Sequence, residues 1–361
     1  MMDYKNLNLI IDTSITSSGS VGWRSPSNIA IIKYWGKYGL QLPKNPSISF
    51  TLENAYTETT MLYETKKPSD SRDLNLNFYF NQKKNESFKA KVQSFLESII
   101  DIFPFLKQLH LTINTKNSFP HSAGIASSAS SMSALALCLC SLEKKFFNAF
   151  PTEADFYKKA SYVARLGSGS ACRSIYSPMA VWGENSSVEE ASDLYAVPFD
   201  VHEIFKTFHD DILIISREEK SVSSRIGHNL MEGNIYAQNR YTQAKQRFIS
   251  LLDALKEGDI HTFGQITESE ALTLHALMMT SNPPYILMKP NTLAAIEKIK
   301  TYRNDTKKPL FFSLDAGPNL HLLYPAAARL DIAHFIKSEL VQYCEDSLVI
   351  EDRVGKGPNE L

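Results

Sequence analysis

From Ser122 to Leu142 the chain carries no charged side chain. That run is about as long as the ~20 residues a helix needs to cross a bilayer. Its composition argues against that use. Ser and Ala dominate, Leu is confined to the second half, and Gly124 and several hydroxyls interrupt it. A helix of small residues lets another backbone approach closely, so the run is read as a buried helix packed against a sheet in a soluble protein. The rest of the chain must supply that sheet.

Strand and helix patterns alternate through the first half. Val21–Tyr34, Ser47–Leu52, Glu58–Tyr63 and Leu74–Phe80 read as strands, and Leu109, Leu111 and Ile113 mark a further one. Phe88, Val92, Phe95, Leu96, Ile99 and Phe103 recur at helical spacing. Asp155–Arg165 reads as helix and Pro178–Trp182 as strand. A composition change falls between 190 and 210. Beyond it come a buried strand, Ile212–Ile215, and helices over Ser223–Met231, Ile235–Glu257, Phe263–Met279 and Asn291–Arg303. Strands Leu310–Asp315 and Leu320–Tyr324 then bracket a tight turn, and a last helix spans Ala327–Tyr343. The sum is an α+β chain: an N-terminal extension over 1–20, one lobe over 21–200 and a second over 201–361.

Charge narrows the function. Lys plus Arg total 38 and Asp plus Glu total 39, so no bulk field favours nucleic acid or an anionic membrane, and any anion site must be local. Cys138, Cys140, Cys172 and Cys344 form no C-x-x-C pair, which fits a reducing compartment. Met1–Ser20 lacks the cationic-then-apolar pattern of a secretion signal, and the expected location is cytoplasmic.

Four segments carry chemistry. In Ser27–Lys37, Lys33 shares a strand face with Ile29 and Ile31; an anion must meet it there, or it reaches water from the strand end. In Pro120–Ser130 a small-residue loop enters a helix whose first N–H groups suit phosphate, and Ser127 and Ser128 offer hydroxyls to phosphate or Mg2+. Close packing with a serine cap would leave the same pattern. Gly167–Ser174 reads as a connecting loop in which Arg173 offers a planar fork for carboxylate or phosphate, or lies on the surface. Asp315 ends an apolar strand before Gly317-Pro318-Asn319, either to start the turn or to act as a positioned base.

Taken together and in order, these segments resemble the mevalonate diphosphate decarboxylases, within the wider family of galactokinase, homoserine kinase, mevalonate kinase and phosphomevalonate kinase. The match runs through Asn28–Lys37 with I-K-Y-W-G-K, Asn45–Leu52, Phe119–Ser128, Ser168–Ser174, Lys220–Ser224, Asn282–Pro284 and Asp315–Asn319. The resemblance implies an N-terminal lobe like the second domain of ribosomal protein S5, a ferredoxin-like C-terminal lobe and an active site in the cleft between them. It implies ATP and Mg2+ as cofactors, mevalonate 5-diphosphate as substrate, isopentenyl diphosphate as product, and a homodimer.

It also implies roles. Asp315 orients or deprotonates the 3-hydroxyl, with Lys33 beside it. Arg173 holds the carboxylate side of the substrate. Tyr34, Lys37, Ser168, Gly169 and Ser170 hold the diphosphate, and Gly124, Ala126, Ser127 and Ser128 hold the ATP phosphates. It leaves the metal ligands unassigned. His121, Ser122, Ser131 and Pro46 depart from the family pattern, which bears on nucleotide binding rather than on the reaction. Three alternatives are a phosphomevalonate decarboxylase, a 3-kinase that stops after phosphorylation, and a non-catalytic metabolite-binding protein on the same fold.

Overall fold

The computed structural model describes residues 4–14, 17–67, 69–119, 127–218 and 221–361. In chain order its principal elements are β1 (Ser18–Ile32), β2 (Ser47–Thr65), β3 (Asn75–Phe80), α1 (Glu86–Ser98), β4 (Leu109–Asn117), α2 (Ser127–Phe147), α3 (Glu153–Gly167), β5 (Met179–Trp182) and β6 (Ala196–Phe199). There follow β7 (Phe208–Leu213), α4 (Ser224–Asn229), α5 (Ala237–Glu257), α6 (Ile260–Met279), α7 (Pro290–Thr306), β8 (Phe311–Leu314), β9 (Leu320–Pro325), α8 (Arg329–Phe335), β10 (Val349–Ile350) and β11 (Asn359–Glu360).

The larger sheet has the order β11-β1-β2-β4-β3, and β5 joins β2 to β6. Its pairs are antiparallel except β3 with β4. The smaller sheet has the order β8-β9-β7-β10 and is antiparallel throughout.

From Ser127 onward the small-residue run forms α2, which packs on β1 and β2. Its buried hydroxyls pair with the sheet: Ser133 Oγ lies 2.6 Å from Ser25 Oγ, and Ser130 Oγ 2.7 Å from Thr57 Oγ1. Trp23 Nε1 donates to Ser141 Oγ at 2.8 Å. These bonds satisfy polar groups that would otherwise be costly to bury. Among the described residues no helix is long and apolar enough to cross a membrane.

Several helix starts carry side-chain caps. Asn85 accepts from the Phe88 N–H, Thr152 from Asp155 and Asp259 from His261 and Thr262. One apolar core lies between α1, α2, α3 and the larger sheet. A second joins the two sheets: Ile29, Ile48 and Phe50 share it with Phe208, Ile212, Phe248 and Phe263. The site residues stand at the edge of this shared core.

Several elements differ from the sequence expectation. The strands expected over Ser47–Leu52 and Glu58–Tyr63 form one strand, because the Asp352 carboxylate accepts the N–H groups of Glu53, Asn54 and Ala55 at 2.9, 2.8 and 2.7 Å. That contact comes from far along the chain, so local patterning is blind to it. The connection expected over Gly167–Ser174 is instead a 3₁₀ helix, Gly169–Ile175. The last expected helix is broken: α8 ends at Phe335 and continues as a π-turn and a short 3₁₀ segment. The helix expected over Ser223–Met231 is the short α4.

Candidate active site

Lys33 follows directly on β1 and is 2% exposed. Its Nζ donates to Asp315 Oδ1 at 3.0 Å and to Ser313 Oγ at 2.9 Å. The Lys33 N–H donates to Glu270 Oε2 at 3.0 Å, and Asn45 Nδ2 donates to the Lys33 carbonyl at 3.2 Å. Glu270 is fully buried between Arg240 at 2.5 Å and Arg247 at 2.9 Å. Burial pushes the Glu270 carboxyl upward, but the two guanidiniums outweigh it and hold the group below its ordinary range. A charged network on α5 and α6 thus anchors the backbone of the residue whose side chain meets Asp315.

Asp315 leaves the end of β8 into the Gly317-Pro318-Asn319 turn. Its carbonyl accepts from the Gly317 N–H at 2.7 Å and from His275 Nε2 at 3.0 Å. Since a carbonyl only accepts, His275 carries its proton on Nε2. Asn319 clasps Ser216, accepting its N–H at 2.9 Å and donating to its carbonyl at 3.1 Å. The turn is held from α6 and from the chain beyond β7, so the Asp315 side chain, 27% exposed, projects from a fixed base.

Arg173 is 1% exposed rather than a surface residue. Its Nε donates to Ser49 Oγ at 2.9 Å and its Nη1 to Ser47 Oγ at 2.7 Å. Burial draws its pKa downward, while Cys172, Asp315 and Tyr34 oppose that. Two neutral hydroxyls occupy part of the fork, leaving charge uncompensated for an anion. Asp315 is close enough to act on Arg173 electrostatically, so Lys33, Asp315 and Arg173 form one group.

The remaining predicted residues lie on the adjoining wall. Tyr34 packs its ring on Trp182 and His228, with centroids 4.7 and 4.3 Å away. Its hydroxyl is buried with no hydrogen-bond partner among the described residues. Gly169 has no room for a side chain, since a Cβ would come within 2.9 Å of both Trp182 and Tyr34. Ser170 offers its carbonyl to Asn28 Nδ2 at 3.2 Å. Ser168 Oγ and Ser128 Oγ stand 3.3 Å apart, linking the start of α2 to the end of α3. Lys37 donates to Gln41 Oε1 at 3.2 Å, and burial together with the nearby Arg225 lowers its pKa. Ser127 opens α2. Gly124 and Ala126 lie outside the described residues.

Sequence reasoning passed over Ser313, Glu270, Arg240, His275, Arg225 and His228. Ser313 lay two residues before Asp315 on the same strand face, a usable signal. Arg225 and His228 followed the Ser223-Ser224 pair in a segment noted only up to Ser224. Glu270 and His275 sit inside a long helix and carry no local mark.

Chemically, the arrangement gathers a carboxylate, an ammonium and a guanidinium, next to Lys37, Arg225 and a hydroxyl with no partner among the described residues. It suits a substrate with a hydroxyl, a carboxylate and a multiply charged anionic end. Among the described residues no group of three or more His, Cys, Asp or Glu side chains could hold a metal. Ser127 and Ser128 at the start of α2 offer neutral hydroxyl oxygens, a donor type that suits Mg2+ held chiefly by phosphate.

Known proteins match this chain along most of its length. Residues 25–195 match the family model of the diphosphomevalonate decarboxylase-like N-terminal domain, and 211–358 that of the mevalonate 5-diphosphate decarboxylase C-terminal domain. The diphosphomevalonate decarboxylase of Saccharomyces cerevisiae is 30% identical over 323 residues, covering 86% of this chain and 79% of its own. That of Ganoderma lucidum is 30% identical over 330 residues, covering 86% and 80%. The solved mevalonate diphosphate decarboxylase of Staphylococcus aureus superposes with a TM-score of 0.82 at 26% identity, over 95% of this chain and 98% of its own. A complex of MDDEF with MVAPP, AMPPCP and magnesium superposes at 0.81 and 27% identity, over 96% and 99%.

Proposed function

The chain belongs to the diphosphomevalonate decarboxylase family, and from that footing we propose how its residues divide the work. The enzyme is a carboxy-lyase. It converts mevalonate 5-diphosphate, with ATP and Mg2+, to isopentenyl diphosphate, ADP, phosphate and CO2. The observation that carries the assignment of roles is the contact of Lys33 with both Asp315 and Ser313, with Arg173 buried beside it.

Asp315 accepts the hydrogen bond of the substrate 3-hydroxyl and takes its proton as the oxygen attacks the γ-phosphorus of ATP. Lys33 holds the carboxylate in place, so alignment does more here than basicity. Arg173 meets the substrate carboxylate. Its attachment to Ser47 and Ser49 keeps it from closing a full fork-to-fork grip, which would oppose loss of CO2. When the C3–O bond breaks, its electron pair leaves with phosphate. The electrons of the bond to the carboxyl carbon then form the alkene, and CO2 departs.

Tyr34, Lys37, Ser168, Gly169 and Ser170 take the diphosphate. The unpaired Tyr34 hydroxyl and the absence of a Cβ at Gly169 support that reading. Ser127 and Ser128 at the start of α2, with Gly124 and Ala126 before them, take the ATP phosphates. Mg2+, when bound, neutralises charge on the transferred phosphoryl group.

We read residues 21–200 as an S5 domain 2-like lobe and 201–361 as a ferredoxin-like lobe, with the site in the cleft between. The two separate sheets support this division. A homodimer in the cytoplasm follows from the family resemblance.

The deciding experiment supplies ATP, Mg2+ and carboxyl-labelled mevalonate mono- or diphosphate and counts CO2. Release from the diphosphate is expected. Release mainly from the monophosphate would reassign the substrate, and ADP without CO2 would make the protein a kinase.

A further inference from the structure

His228 has no role in the scheme above, yet it is 9% exposed and sits against the wall assigned to the diphosphate. Its ring lies between Tyr34 and Trp35, with centroids 4.3 and 4.7 Å away. Its Nδ1 accepts the Gly36 N–H at 3.0 Å. Gly36 has φ +95, and a Cβ there would come 2.2 Å from the Tyr241 hydroxyl, so only glycine fits where this amide is presented.

The hydrogen bond settles the tautomer. A nitrogen that accepts an N–H bears no proton, so the imidazole proton is on Nε2. Among the described residues Nε2 has no protein partner, and it is not among the sealed, unpaired polar atoms. It is a donor with access to something other than protein. Burial, with Lys37 adding to it, lowers the His228 pKa to about 3, so the ring stays neutral.

The surroundings identify what the donor would meet. Lys37 and Arg225 are near enough to depress the Lys37 pKa, and neither has a carboxylate partner among the described residues. Two like charges held together beside a neutral N–H make a cradle for an anion with several oxygens. A third cation there would add repulsion, whereas a neutral imidazole adds a donor without a charge.

We propose that His228 is a substrate-binding residue whose neutral Nε2–H donates to a phosphate oxygen of the diphosphate, oriented by the Gly36 amide. This rests on the diphosphate reading of the Tyr34–Lys37 wall. A hydrogen bond to a charged group contributes about 1.5–3 kcal/mol, roughly ten- to a hundredfold in affinity.

The test compares the full-length enzyme with His228→Met, which keeps bulk but loses both polar functions, and His228→Gln, which retains an acceptor and a donor. KM and kcat are measured with carboxyl-labelled mevalonate diphosphate, and the Kd of inorganic pyrophosphate by calorimetry. His228→Met is expected to raise KM and the pyrophosphate Kd at least about tenfold with kcat within about threefold, and His228→Gln to recover most of the loss.

An unchanged Kd in His228→Met, or a fall in kcat with KM unaltered, overturns the proposal. Nitrogen NMR of the wild-type histidines needs no variant that must fold. The Nε2–H tautomer with a resonance moved by pyrophosphate supports the proposal, and an Nδ1–H tautomer or an unmoved resonance overturns it. Pyrophosphate bound through His228 without CO2 release would sink the decarboxylase reading alone.

Discussion

The two sides of the site differ in how their charges are balanced. On the Lys33 side most charges meet opposite ones, Lys33 with Asp315 and Glu270 with Arg240 and Arg247, and Arg173, held by two hydroxyls, keeps charge to offer an anion. On the Lys37 side two cations face each other, a tyrosine hydroxyl has no partner among the described residues, and a buried histidine is kept neutral. Apart from Arg173, the first arrangement is complete within the protein and holds groups in position. On the roles proposed above, the second is left incomplete by the protein and is finished by an anion. Reaction geometry is thus built in advance, whereas binding energy comes from charge that folding left unbalanced.

Mutation of the balanced side should give the largest effect. Asp315→Asn keeps the shape and removes the proposed base, and CO2 release should fall about 10²–10⁴-fold, the range for loss of a general base. A fall under tenfold would mean that positioning alone suffices.

Glu270→Gln should come next, and should act on stability. It leaves Arg240 buried without its counter-ion, which costs about 3–5 kcal/mol, read in denaturant unfolding. It also weakens the acceptor of the Lys33 N–H, so activity should fall in the fraction that remains folded.

The unbalanced side should respond to ligand instead. Pyrophosphate at a hundred times its Kd should stabilise the enzyme by about 2.7 kcal/mol, seen as a rise in Tm. Lys37→Ala should remove most of that rise while leaving the ligand-free Tm nearly unchanged, since it relieves repulsion. A large fall in the ligand-free Tm would erase the contrast between the two sides.

The last effect is in pH, and it is spread over several pH units. The folded protein refuses His228 a proton that the unfolded chain accepts below about 6.5, so acidification from there toward about 3 costs stability, by up to about 1.4 kcal/mol per pH unit. Asp211 and Asp352 act in the opposite sense. Burial raises both to about 6, so the stability they contribute is present below their ordinary value of 3.8 and is lost as pH rises from there to about 6. Tm measured from pH 4 to 7 in wild type and His228→Gln separates them. Wild type should lose stability relative to the variant as pH falls, and parallel curves would mean that His228 titrates normally.

Much of this was legible in the chain. The I-K-Y-W-G-K and D-A-G-P-N segments name Lys33, Tyr34, Lys37 and Asp315, and the Ser/Ala run marks α2, because each needs particular residue types in sequence order. The burial of Arg173 was not legible, because the serines that take its fork stand on β2, far back along the chain. Nor was the Asp352 carboxylate that makes one strand of two.

The sequence by itself determined which chemical groups are present and the local shapes that carry them: caps, strand faces and the small-residue helix. Only the tertiary structure decided which charges would be balanced. Glu270 reaches Lys33 and Arg240, and His228 reaches Gly36, across segments with no local pattern in common. Pairing depends on distances of a few ångströms between distant residues, and those exist only once the two sheets share a core.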